Sequence, residues 1–155
     1  LLSFVTVNAQ EKKELKEGDQ APTFKYLDIN GKEVSLSDLK GKYVYIDVWA
    51  TWCGPCQYEL PHLKELEKKM HGKKIVFVSI SCDKDKAAWE KMVKEQGLGG
   101  VQLHNGGDRE FMTAFGIRGI PRFILLDKEG KIVNPNMTRP SNPETEKTLK
   151  ALKGI

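Results

Sequence analysis

The sequence is poor in residues that bind metals: it holds three cysteines and three histidines in 155 residues. A closed zinc site takes four such ligands. Cys53 and Cys56 form a Cys-x-x-Cys pair, but Cys82 and the histidines stand at no ligand-like spacing from it. Structural zinc is therefore disfavoured, and we expect no bound metal.

The chain also lacks a long apolar run and a strong net charge. No uninterrupted apolar stretch approaches the roughly 20 residues that a membrane-spanning helix needs. The 25 basic and 21 acidic residues leave a net charge of +4, and no basic run is dense enough to grip phosphates. These absences disfavour a membrane-spanning body and nucleic acid as a partner. A chain of this length is expected to form one domain.

The first residues differ from the rest of the chain in composition. The stretch LLSFVTVNAQ is apolar and rich in small residues, and the polar run EKKELKEGD follows it at once. Val7-Asn8-Ala9 fits the small-x-small rule for signal-peptide cleavage, with a short buried strand as the alternative. We expect cleavage after Ala9 and export to the periplasm or an equivalent compartment. Residues 1–17 would then be a signal-peptide remnant and polar linker, and residues 18–155 the folded domain.

Hydrophobic periodicity predicts strands and helices in alternation after the linker. A small hairpin turns at Asn30-Gly31. The run YVYIDVW is apolar on both faces, as in a central strand covered on two sides. Strands are predicted over residues 43–49, 75–80, 101–104, 123–126 and 132–133, and helices over residues 55–71, 87–96, 108–115 and 145–152. This order predicts an α/β fold with a mixed central sheet and helices on both of its faces.

Cys53 and Cys56 fall where the central strand ends and the first long helix begins. Backbone N–H groups at a helix start stabilise negative charge, so a thiol there loses its proton more easily. We expect Cys53 to be the exposed, reactive thiol. Cys56 would lie one turn further on the same helix face, within reach of Cys53. Spacing and position favour a dithiol/disulfide couple over an inert structural disulfide.

Trp52-Cys53-Gly54-Pro55-Cys56, placed after a hydrophobic strand that ends Asp47-Val48-Trp49, resembles the active-site motif of thioredoxins. The likeness extends to Pro61 within the helix, where a kink is expected. Gly119-Ile120-Pro121 is similar to the cis-proline segment that faces the cysteines in that fold. The resemblance covers roughly Gly18 to Leu152.

Three further features resemble the exported TlpA/ResA-like branch of thiol:disulfide oxidoreductases. They are the N-terminal hairpin APTF…NGKEVSLSDLKGK, the segment CQYELP and an extra helix between Cys82 and Val101. The resemblance implies a thioredoxin fold with an N-terminal β-hairpin and an inserted helix.

The resemblance also implies a role for each matching position. Cys53 would be the attacking thiolate and Cys56 the resolving thiol, so their reversible disulfide is the redox group and no cofactor is expected. Asp47 matches a buried aspartate beneath the cysteines that acts as acid and base for Cys56. Glu59 matches a carboxylate near the same pair. Ser79 stands where many thioredoxins carry a lysine beside that aspartate, so Asp47 lacks a cationic partner.

A groove for an extended substrate segment is implied as well. Trp52, Gly54 and Pro55 would contact the substrate beside the cysteines. Ile120 would offer it backbone hydrogen bonds, and Pro121, if cis, would shape the groove. The expected substrates are protein disulfides.

The leading prediction is an exported, monomeric oxidoreductase that reduces protein disulfides. Gly-Pro between the cysteines and Ile120 before the proline resemble reducing thioredoxins. A reductant in oxidising surroundings implies a membrane electron donor that regenerates it. One client would be an apocytochrome c, whose CxxCH thiols must be reduced to accept haem, which would place the protein in cytochrome c maturation.

Two other functions stay open. A thiol peroxidase of the peroxiredoxin-like class would share the fold, but Ala50 and Ile46 stand where peroxiredoxins resemble one another in carrying Thr and Pro. A soft-metal-binding module would hold its metal with both thiolates, but it has no adjacent histidine or methionine. Cys82 closes a buried strand and is predicted to be a free core residue.

Overall fold

The computed structural model describes residues 13–155. The predicted signal-peptide remnant, with its cleavage after Ala9, therefore lies outside the described residues. In this part of the chain no helix is long and apolar enough to cross a membrane. Contacts with the folded body begin early, since Leu15 packs partly against the core and the Gly18 N–H donates to the Ile132 carbonyl at 2.8 Å.

Within residues 13–155, seven strands form one mixed sheet in the order β2-β1-β5-β4-β3-β6-β7. Strands β3, β4 and β5 run parallel, and every other pairing is antiparallel. The predicted hairpin at Asn30-Gly31 joins the first two strands. The strands are β1 Lys25–Asp28, β2 Glu33–Ser35, β3 Tyr43–Trp49, β4 Ile75–Ser81, β5 Val101–His104, β6 Arg122–Leu126 and β7 Ile132–Asn134.

The described part of the chain also holds four α-helices and one 3-10 helix. They are the 3-10 helix Leu36–Leu39 and the helices α1 Gly54–Lys69, α2 Lys86–Glu95, α3 Glu110–Ala114 and α4 Pro143–Lys150. Helix α1 continues through Pro61 to Lys69 as one element. Helix α3 is shorter than predicted, since Arg109 is its N-cap residue and Phe115 its C-cap residue. The inserted helix expected between β4 and β5 is α2.

Strand β3 is the centre of the molecule, and all seven of its residues are buried. Its even-numbered residues, Val44, Ile46 and Val48, share a core cluster with α3. Tyr45, on the opposite face, packs with Leu63 of α1 and the aromatic rings of β4 and β6. Helices therefore cover both faces of the sheet, as predicted. Asp47 lies two residues after Tyr45, so it shares the face of β3 that packs against α1.

Candidate active site

The cysteine pair lies at the start of α1. Cys53 and Cys56 form a disulfide with a Cα–Cα distance of 5.2 Å. Cys53 is the N-cap residue of the helix, and the Cys56 N–H points at the Cys53 sulfur at 3.2 Å. Gly54 and Pro55 form the first turn, and no atom lies within 4 Å of where a Gly54 side chain would begin. The Cys53 sulfur thus occupies the position of an N-cap acceptor, where helix N–H groups stabilise negative charge.

The expected exposure of Cys53 is wrong for the disulfide form. Cys53 is 5% exposed and Cys56 is 2% exposed, because both pack in a cluster with Trp49 and Leu60. The exposed group is the preceding aromatic side chain, Trp52, at 71%. The two cysteines therefore differ in their place on the helix more than in their exposure.

The segment that precedes β6 lies beside the disulfide. Strand β6 is antiparallel to β3, and Val48 pairs with Arg122, so the residues before β6 lie beside the residues after β3. The Ile120 carbonyl oxygen lies 3.7 Å from the Cys53 sulfur, and the Ile120–Pro121 peptide bond is cis. The structure thus brings Cys53, Cys56, Ile120 and Pro121 together.

Asp47 lies on β3 beneath α1. Its side chain is 4% exposed, and the Ser79 hydroxyl donates to its Oδ1 at 2.5 Å. Asp47 and Ser79 are direct partners in the β3–β4 ladder, so the neighbour of Asp47 on β4 is a neutral hydroxyl. Burial raises the pKa of Asp47 to about 7, although the Ser79 hydrogen bond acts in the opposite direction. A carboxyl group with that pKa can exchange protons near neutral pH.

Glu59 is buried, and its side-chain hydrogen bonds join it to Ser141. Its Oε1 accepts from the Ser141 N–H and its Oε2 from the Ser141 hydroxyl, both at 2.8 Å. This pair of hydrogen bonds ties α1 to the loop that precedes α4. The proton-exchange role expected for Glu59 stays a prediction.

Sequence reasoning missed Asp83, which holds the loop that leads into Cys53. The Asp83 carboxylate accepts from the Thr51 N–H at 3.0 Å and from the Thr51 hydroxyl at 2.7 Å. His104, which carried no signal in the sequence, lies 2.7 Å from the Asp83 carbonyl oxygen through its Nε2. Its Nδ1 accepts from the Gly106 N–H, so Nε2 is the donor. The one available signal was position, since Asp83 and His104 lie where parallel strands end.

Cys82 is a free, half-buried cysteine directly after β4. It packs against the core clusters on both sides of the sheet edge. Burial and the nearby Asp83 carboxylate raise the pKa of its thiol. Across residues 13–155, no group of three or more His, Cys, Asp or Glu side chains is placed to hold a metal ion.

Comparison with known proteins decides the family. A family model described as Redoxin matches residues 16–152. The chain belongs to the Redoxin family.

Several of its relatives are named thiol-disulfide oxidoreductases. The thiol-disulfide oxidoreductase ResA of Bacillus thuringiensis strain Al Hakam is 32% identical over 143 residues, which cover 92% of this chain and 82% of that protein. A solution structure from Bacteroides vulgatus, assigned as a thiol-disulfide oxidoreductase, is 64% identical, with a TM-score of 0.78 over 88% of this chain and 91% of that one.

A crystal structure of the thioredoxin domain of another Bacteroides vulgatus thiol-disulfide oxidoreductase is 31% identical, with a TM-score of 0.80. The match covers 88% of this chain and 97% of that one. This Redoxin-family chain is therefore a thioredoxin-like thiol:disulfide oxidoreductase of the TlpA/ResA-like branch, and the predicted fold, family and enzyme class are confirmed.

Proposed function

We propose that this enzyme reduces protein disulfides in an exported compartment. The observation that carries the proposal is the Cys53–Cys56 pair at the start of α1, which faces the Ile120 carbonyl at 3.7 Å and lies on the side of β3 that carries buried Asp47. Gly-Pro between the cysteines and isoleucine before the cis-proline favour the reducing direction, since they resemble reducing thioredoxins.

The reaction is a two-step exchange of disulfide bonds. In the reduced enzyme the Cys53 thiolate attacks a substrate disulfide R–S–S–R′, which forms a Cys53–S–R bond and releases R′S⁻. Cys56 then loses its proton and attacks the Cys53 sulfur, which forms the Cys53–Cys56 disulfide and releases RS⁻. Two electrons pass from the enzyme to the substrate, and each released thiolate takes up a proton according to its pKa.

Asp47 is the proposed acceptor for the Cys56 proton in the second step. It lies between Tyr45 and Trp49 on the face of β3 that packs against α1, and Trp49 shares a cluster with Cys56. A pKa of about 7 matches the operating pH of a general base. Glu59 is a weaker candidate, because Ser141 engages both of its oxygens.

The proposed substrate groove is formed by two segments. They are Ile120-Pro121 and the residues beside the cysteines, Trp52, Gly54 and Pro55. An extended substrate segment would pair with the Ile120 backbone beside Cys53. Exposed Trp52 would supply apolar contact at the rim.

Regeneration requires a source of electrons outside this chain. In an oxidising compartment we propose a membrane electron donor that reduces the Cys53–Cys56 disulfide after each cycle, with the enzyme acting as a monomer. The proposed client class is an apocytochrome c, because a CxxCH disulfide must be reduced before its thiols can bind haem.

Capture of a disulfide-bonded CxxCH peptide tests this function. Cys56→Ser should form a stable mixed disulfide between Cys53 and the peptide and should lower turnover at least about 100-fold, since an external thiol must replace a thiol already held in place. Mass spectrometry after acid quenching detects the adduct. Cys82→Ser is the matched control and should reduce the peptide at the wild-type rate. Wild-type turnover by Cys56→Ser would refute the two-cysteine exchange.

A further inference from the structure

A chain of buried polar side chains leads away from Asp47 across three strands. The Ser79 hydroxyl of β4 donates to Asp47, and Gln102 Nε2 of β5 donates to Ser79 Oγ at 3.3 Å and to the Gly99 carbonyl at 2.7 Å. The Gly99 carbonyl can only accept, which fixes the orientation of the Gln102 amide. Asp47, Ser79 and Gln102 are each at most 4% exposed. Buried polar groups in such a network are costly unless they are paired, so the arrangement invites a functional explanation.

A second carboxyl group stands at the outer end of this chain. Glu67 lies on α1 and packs on the backbone of Gly99 and Gly100. A Cβ atom placed on Gly99 would lie 2.9 Å from Glu67 Oε2, and one on Gly100 would lie 3.4 Å from Oε1. The two glycines therefore leave the space that the Glu67 carboxyl group fills. Glu67 is half-buried, and the cysteine mechanism does not use it.

We propose that Glu67 is a positioning residue for disulfide exchange: its carboxylate, seated on Gly99-Gly100, sets the pH at which Asp47 can take a proton from Cys56. This inference rests on the proposed role of Asp47 and deepens it. A negative charge on Glu67 disfavours a second negative charge on Asp47, so Asp47 binds its proton more tightly and becomes a stronger base for the Cys56 thiol.

The charges around the two carboxyl groups support this direction of coupling. Besides burial, the negative charge of Glu67 raises the pKa of Asp47. Burial also raises the pKa of Glu67 to about 7, and Lys64 of the same helix lowers it. Lys64 donates to the Gln96 carbonyl, which keeps it at the α1–α2 side of Glu67.

The other groups packed around the carboxyl pair come from β3, β4, β5 and α1. Tyr45 of β3 is held in its neutral form, since burial and both nearby carboxylates, Asp47 and Glu59, raise its pKa. Strands β4 and β5 present the uncharged Ser79 and Gln102. Removing the charge of Glu67 should therefore change the titration of Asp47 with little effect on the other groups packed around it.

The test compares Glu67→Gln with Glu65→Gln, which removes the same charge from an exposed position on the same helix. Carbon-13 NMR of the Asp47 side-chain carboxyl in the oxidised enzyme should show a titration midpoint about half a pH unit lower in Glu67→Gln than in wild type. The pH profile of release from the Cys53 mixed disulfide should move down by the same amount. Glu65→Gln should leave both midpoints in place. An unchanged Asp47 midpoint in Glu67→Gln would overturn the inference.

A second variant moves the carboxylate and leaves its charge in place. Gly99→Ala should displace Glu67 through the 2.9 Å contact at a position without positive φ. The titration midpoint of Asp47 in this variant should also be lower than in wild type. A midpoint identical to wild type would contradict the proposal that Glu67 acts from its position on Gly99-Gly100. Failure of the proposed function would look different. If Asp47→Asn left the release rate unchanged, Asp47 would not be the proton acceptor, whatever Glu67 did to its titration.

Discussion

At the scale of single residues, the buried carboxyl group of Asp47 links the folding of this enzyme to its chemistry. Burial raises its pKa from 3.8 to about 7. The folded protein therefore keeps a proton that the unfolded chain releases near pH 4. The same shift gives Asp47 a proton affinity suited to accepting a proton from a thiol. A buried carboxyl group with a raised pKa therefore lowers stability at neutral pH, where the unfolded chain is ionised.

Replacing Asp47 with Asn should therefore make stability less dependent on pH. In the wild-type protein the contribution of this group is fully present below about pH 4 and is lost as the pH rises toward 7, because the unfolded carboxyl group ionises first. At 1.36 kcal/mol per pKa unit, this loss amounts to about 3 kcal/mol between about pH 5 and pH 8.5. Urea unfolding of the oxidised proteins at both pH values measures it. Asn can still accept from Ser79, so equal pH dependence in both proteins would contradict the raised pKa.

Asp47 could be identified from the sequence, but the residues around it could not. A carboxylate in the apolar run YVYIDVW is costly to bury without a purpose, so Asp47 could be predicted. The exposure of Cys53 could not, because it depends on Trp49 and Leu60 packing around the disulfide. Gln102 gave no signal either, since its link to Ser79 requires the register of β5 beside β4.

At the scale of elements, the end of β4 holds the start of α1 in place. Asp83 follows β4 and accepts two hydrogen bonds from Thr51, in the loop between β3 and α1. The Ser81 hydroxyl donates to the same carboxylate at 2.5 Å. The Cys53 N–H donates to the Ala50 carbonyl at 3.2 Å, so the loop that Asp83 fixes also fixes the N-cap cysteine.

Substitution of Asp83 should loosen this loop and cost stability. Asp83→Ala leaves the Thr51 N–H and the Ser81 hydroxyl without their acceptor, which should lower the free energy of unfolding by at least about 2 kcal/mol. In a double-mutant cycle with Thr51→Val, the coupling should be about 1 kcal/mol, since the pair shares a direct hydrogen bond. Denaturant unfolding of the four oxidised proteins supplies the values. Strict additivity would show that Asp83 and Thr51 do not act together.

Periodicity located the elements better than it located their contacts. Strands β3 and β5 begin and end at the predicted residues, because a buried apolar run defines a strand locally. Helix α3 was predicted two residues too long at its N-terminus and one residue too long at its C-terminus, because the apolar residues of a short helix do not mark its caps. The Asp83–Thr51 contact spans 32 residues in sequence, so it depends on strand order, which periodicity does not give.

At the scale of the whole molecule, the antiparallel pairing of β3 with β6 creates the active site. It places the residues after β3 beside those before β6, so that Cys53 meets Ile120 across 67 positions of sequence. Cys82, at the end of the neighbouring strand β4, remains free while the other two cysteines are joined. The fold thus keeps the disulfide-bonded pair apart from the half-buried Cys82 thiol. The proposed function requires that the pair act as a reductant.

The reducing direction is tested by equilibrating the purified enzyme with dithiothreitol and glutathione buffers, which gives the reduction potential of the Cys53–Cys56 pair. The fraction of Cys53–Cys56 disulfide is read by alkylation and mass spectrometry at each buffer potential, with Cys82 alkylated throughout as the internal control. We expect a midpoint close to that of thioredoxin, about −270 mV, because the pair resembles that of a reducing thioredoxin. A midpoint near that of the oxidant DsbA, about −120 mV, would contradict it.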